Sequence, residues 1–101
     1  MRDVSSRWQA AVLVCGKCSR RVGGGFGEDG RTGLAKALRR HLSLKKGRKA
    51  AAGVVEVQCL GLCPKRQVVA INAAHPDRWR LVEPGTPLDT VAAELGLAAK
   101  D

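Results

Sequence analysis

At 101 residues the chain has room for one domain with a modest core, and its make-up, 45% hydrophobic and 27% charged, is that of an ordinary globular protein. The longest apolar run, Ala10 to Cys15, is far short of the ~20 residues that span a bilayer, and the opening residues lack the apolar stretch of a secretory signal. The cytoplasm is therefore the expected compartment, and there four cysteines point to metal binding before structural disulfides.

Residues 1–9 read as a polar lead-in, residues 10–96 as the domain and residues 97–101 as a tail. Ala10 to Val14 is an apolar run of strand length, suited to a central strand buried on both faces, and it stops at Cys15-Gly16-Lys17-Cys18. Ser19 to Gly30, with its cluster of glycines, is expected to be loop. A helix follows, with Thr32 as its cap, Leu34, Ala35, Leu38 and Leu42 at helical spacing, and an end near Gly47. Val54 to Gln58 is a second strand, ending at Cys59-Leu60-Gly61-Leu62-Cys63-Pro64, and strand–helix–strand of this length makes a βαβ unit with parallel strands.

Gln67 to Asn72 and Arg78 to Val82 read as a hairpin turned by His75-Pro76-Asp77, with Trp79 and Leu81 on one face. A closing helix is expected with Thr86 as cap, Pro87 at its first position, Asp89 in its first turn and Gly96 at its end. The order is βαβ then ββα, an α/β domain with a small mixed four-stranded sheet and two helices.

The two cysteine pairs then occupy equivalent places, just past the carboxyl ends of two parallel strands, the edge where open α/β sheets bind ligands. Neighbouring strands are about 5 Å apart in the pairing direction, so the two loops can converge on one small object. Cys15, Cys18, Cys59 and Cys63 are four soft thiolate donors, a set that suits zinc or an iron-sulfur cluster. Gly16 and Gly61 let the backbone bend and bring N–H groups close to sulfur.

From about Ala11 to Leu95 the sequence resembles the thioredoxin-like [2Fe-2S] ferredoxins, in VLVCGKC closing a first strand, VVEVQCLGLCP closing a second, and the hairpin and helix after them. The resemblance implies a thioredoxin-like fold and a soluble electron carrier that is not itself an enzyme. It also implies Cys15 and Cys18 on one iron of a [2Fe-2S] cluster and Cys59 and Cys63 on the other.

Two further readings stay open: a basic, zinc-stabilised interaction module, and a thiol–disulfide oxidoreductase using the CxxC pair. A redox CxxC should open a helix, which the glycine-rich stretch disfavours, and the second pair would then go unexplained. Gly25-x-Gly27-x-x-Gly30 matches a dinucleotide-binding pattern in letters, but it does not follow a strand directly and no acidic residue lies about 20 residues on. It reads instead as a flexible loop that shields the metal site. His41 and His75 read as surface or capping residues, without the Cys-x-His pairing of a Rieske centre, and Trp79 as a packing residue.

The net charge of +9 is uneven: residues 1–49 carry 13 basic and 3 acidic side chains, residues 50–101 carry 5 and 6. One basic face is implied, suited to a redox partner with an acidic docking surface. Nucleic acid is disfavoured, because Arg31 to Lys49 lacks the interleaved aromatics of stacking surfaces. No membrane contact is expected, and a homodimer is left open.

Overall fold

The computed structural model describes residues 1–62 and 64–97. Cys63, expected in the second cysteine loop, and residues 98–101, expected in the tail, lie outside the described residues. The strands are β1 (Ala11–Cys15), β2 (Gly53–Val57), β3 (Val68–Asn72) and β4 (Trp79–Val82), each within about one residue of its expected place. The helices are α1 (Gly16–Arg21), α2 (Leu34–His41) and α3 (Leu88–Glu94), with a short 3-10 turn at Gly47–Lys49. Two helices are expected from the sequence and three are found among the described residues, α1 being the addition.

The sheet runs β2-β1-β3-β4. β1 pairs parallel with β2 and antiparallel with β3, and β3 forms an antiparallel hairpin with β4. Directly paired residues share a face. One face therefore carries Val12 and Val14 of β1, Val54 of β2, Val68 and Ala70 of β3 and Val82 of β4, all buried. They join one core with Leu34 and Leu38 of α2 and Val91 and Leu95 of α3. Each buried Val or Leu side chain contributes about 1.5–3 kcal/mol on leaving water, which is how a chain with three aromatic residues builds a core from aliphatics.

The opposite face carries a second apolar row in register across all four strands: Val55, Leu13, Ile71 and Trp79. This row is only partly covered, with Val55 37% and Trp79 41% exposed, and neighbouring Leu81 is exposed as well. Trp79 also donates its indole N–H to the Pro76 carbonyl (3.0 Å), which ties the hairpin turn to its strand.

All three helices end in the same hydrogen-bonded cap. After α2 the Ser43 N–H bonds the Arg40 carbonyl and the Leu44 N–H bonds the Arg39 carbonyl, the paired bonds of a Schellman motif. Ser43, at φ 52°, takes the left-handed position, so α2 stops at His41 rather than near Gly47. Gly23 after α1 and Gly96 after α3 fill the same position with φ 67° and 73°. The expected N-caps are displaced. Thr32 donates its hydroxyl to Asp29 (3.2 Å), leaving Gly33 as the cap of α2, and Thr86 donates to the Glu83 carbonyl (2.6 Å), leaving Pro87 as the cap of α3.

The glycine-rich stretch is a compact loop folded on itself. Phe26, 2% exposed, drops into the core and its backbone forms a two-way bridge with Thr32. The Gly25 N–H bonds the Gly30 carbonyl, so it is committed within the loop and does not face a phosphate. Asp29 accepts from the Arg31 N–H (2.9 Å) and the Thr32 hydroxyl, and these bonds, the first above all, hold its carboxyl below its ordinary range. Gly24, at φ 85°, has no space for a Cβ, which would run into the Arg31 carbonyl. Gly24→Ala should cost about 1–3 kcal/mol in backbone strain alone, with the clash added, measured as a lower urea midpoint at unchanged slope.

The lead-in is also docked. The Arg7 and Gln9 N–H groups bond the carbonyls of Arg48 and Ala51 (2.7 and 2.8 Å), and the Trp8 indole N–H bonds the Gly47 carbonyl (2.8 Å). The Trp8 ring lies directly on Gly53, where no side chain would fit. No helix among the described residues is long and apolar enough to cross a membrane.

Candidate metal centre

β1 delivers Cys15, fully buried, to the point where the chain turns into α1. Cys15 is the N-cap of that helix, its sulfur accepting the Cys18 N–H at 3.4 Å. Ser19 completes the turn by donating its hydroxyl to the Cys15 carbonyl (3.0 Å). A Cβ at Gly16 would stand 2.7 Å from the Glu56 carboxylate on β2, which would have to swing aside to admit it. Arg20 and Arg21 sit in the last turn, at the negative end of the helix dipole, and Arg20 lies 3.9 Å from Glu56. The expectation of a loop from Ser19 onward is thus corrected. Six residues are a helix because Gly16, Cys18 and Ser19 are packed against the sheet, and tertiary burial supplies what propensity withholds.

The loop after β2 folds back over this turn. The Leu62 carbonyl accepts the Cys18 thiol at 3.9 Å, across 44 positions of sequence. The Leu60 side chain packs partly buried against the core. Gly61, at φ 91°, turns its N–H onto the Cys59 sulfur at 3.4 Å. The thiol of Cys15 is held below its ordinary value: burial pushes it up, but the N–H and side chain of Cys18 and the N–H groups of Leu60 and Lys17 outweigh that.

Cys15 and Cys18 are thus brought together with the backbone of residues 60–62, while Cys59 stands exposed at the start of that loop. Among the described residues no three His, Cys, Asp or Glu side chains form a group able to hold a metal ion; the expected fourth donor, Cys63, lies outside them. His41 is exposed on α2, and His75 is exposed in the hairpin turn, where its N–H bonds the Asn72 carbonyl.

The residues present fit a soft metal centre in their chemistry. Thiol sulfurs meet backbone N–H groups on both loops, an arrangement that stabilises thiolate charge and the sulfur ligands of clusters. Arg21, three residues beyond Cys18, lines with Lys65 and Arg66 an open cleft of about 850 Å3, faced by Glu83. Ser19, Glu56 and the Leu60 and Leu62 backbone were not singled out in the sequence. Only Ser19 carried a signal, four residues beyond Cys15 and hence one helical turn away.

Comparison with family models, with curated proteins and with solved structures finds no match to this chain.

Proposed function

We propose that the chain is a small [2Fe-2S] electron carrier of thioredoxin-like fold, with Cys15, Cys18, Cys59 and Cys63 as ligands. The observation that carries this reading is the meeting of the two cysteine loops, with the Cys18 sulfur against the Leu62 carbonyl and Leu60 packed on the core cluster that holds Cys15 and Cys18. The strand order β2-β1-β3-β4, with one parallel and two antiparallel pairs, is compatible with the proposed fold.

A bound cluster supplies one-electron redox chemistry, and the chain supplies thiolates, N–H donors and a docking face. Residues 60–62 keep water from Cys15 and Cys18. Arg21, Lys65 and Arg66 present positive charge to an acidic redox partner, in the cytoplasm where thiols stay reduced. The same cations stabilise added negative charge at the site. Lys65→Glu with Arg66→Glu should therefore lower the midpoint potential; an unchanged or higher midpoint in protein-film voltammetry refutes this electrostatic role.

Iron, sulfide and zinc content of anaerobically purified protein, with its visible spectrum, tests the proposal. Equal iron and sulfide, a red-brown colour and an EPR signal on reduction are expected. Stoichiometric zinc in a colourless protein would establish the zinc-stabilised interaction module instead.

A thiol–disulfide oxidoreductase is the second reading, favoured by the helix that opens at the CxxC and by the lowered Cys15 thiol. It requires a two-electron couple in iron-free protein that vanishes in Cys18→Ser.

A further inference from the structure

A second cationic surface lies on the outer edge of β2, away from the cleft beside the cysteines. α2 and the segment after it place Lys36, Arg39, Arg40, Lys45 and Lys46 along a groove of about 790 Å3, and Trp8 forms part of its wall. All five cations are exposed, and none enters an ion pair among the described residues. Among the described residues Glu56 is the sole acid lining the groove, and it stands beside Arg20.

The aromatic side chain missing from the basic run is thus supplied from elsewhere in the chain. Trp8 is fixed by its bond to Gly47 and by its seat on Gly53, yet stays 37% exposed. A cationic groove with a fixed, partly open indole is the pairing by which single strands are held: phosphates track the charge and a base lies on the ring. An acidic peptide adding to the β2 edge fits less well. Arg39 already donates to the outward Val54 carbonyl (2.8 Å), so an acceptor that an added strand would need is occupied.

We propose that this groove binds single-stranded nucleic acid through its phosphate backbone, with Trp8 as a stacking platform. The surface is independent of any metal at the cysteines.

Fluorescein-labelled oligothymidylate titrated with the purified full chain, followed by anisotropy, tests it. Five neutralised phosphates give a salt slope of about −3.5, an affinity loss of about 100-fold between about 50 and 200 mM salt. Lys45→Glu with Lys46→Glu should weaken binding more than about tenfold and flatten that slope. Trp8→Ala should weaken it about tenfold at unchanged slope, in protein shown folded by circular dichroism. The same change of charge placed outside the groove, Arg31→Glu with Arg78→Glu, should do much less. Equal loss in the two charge-reversed proteins would reduce the effect to bulk charge and overturn the proposal. So would tighter binding of a polyglutamate of equal charge, or no binding at low salt.

Discussion

Under the proposed ligand set, Cys15→Ser should leave the protein without iron or sulfide and with a lower thermal midpoint, while Ser19→Ala should keep whatever iron the wild type holds. Cys15 is fully buried and caps α1, so no water or exposed side chain can readily replace its sulfur. A structural metal site with thiolate ligands is worth on the order of 10 kcal/mol of binding, and in a small domain that binding is also folding free energy. If Cys15 is a ligand as proposed, its loss should release the metal, and the melting point should fall to that of chelator-stripped wild type. The Ser19 hydroxyl supplies one buried hydrogen bond to the Cys15 carbonyl, worth about 1 kcal/mol. Its loss should appear in denaturation and barely in the iron assay. Iron retained by Cys15→Ser would remove Cys15 from the ligand set.

Phe26→Ala should cost about 3–5 kcal/mol, the usual range for a large aromatic cut to alanine in a core. Total stability is about 5–15 kcal/mol for domains in general, so this one change threatens a large share of it. Phe26 is the sole phenylalanine and belongs to the main core cluster, although it sits amid five glycines within Gly23–Gly30. Were the stretch a loose cover over the cysteines, truncation would cost no more than about 0.5 kcal/mol, as at ordinary surface sites. Urea unfolding followed by circular dichroism separates the two outcomes. Comparing variant and wild type at equal iron content keeps the result independent of the cofactor.

The strands were legible because period and composition agree there. Val12 and Val14 face the helices while Leu13 faces the other side, and each apolar run ends at a cysteine or a turn. The end of α3 was legible through Gly96. α1 was hidden because its cap is a cysteine and its first residue a glycine, neither a start signal, and its stability comes from burial against the sheet. The end of α2 was misplaced because Ser43, not glycine, takes the left-handed position. The buried Phe26 was hidden by glycines that imply freedom singly but close a tight loop together. At the candidate site, the pairing of Cys15 with Cys18 was readable from spacing. The Leu60 and Leu62 contacts were not, since they are backbone groups brought in by the return of the loop. Trp8 in the β2 groove was invisible for a like reason, being carried there by pairing of residues 7–9 with residues 48–51.

The placement of β1 between a distant parallel partner and a distant antiparallel one bears on how the molecule assembles. The β3–β4 hairpin closes locally, whereas β1 must find β2 across the whole intervening segment, and such non-local pairings form slowly. Because the cysteine loops extend from the ends of β1 and β2, they meet only once that slow pairing is made. With the proposed cluster, iron uptake by a refolding chain should then lag behind hairpin formation and keep pace with the last burial of Val12 and Val54, so that acquiring the metal would report completed folding.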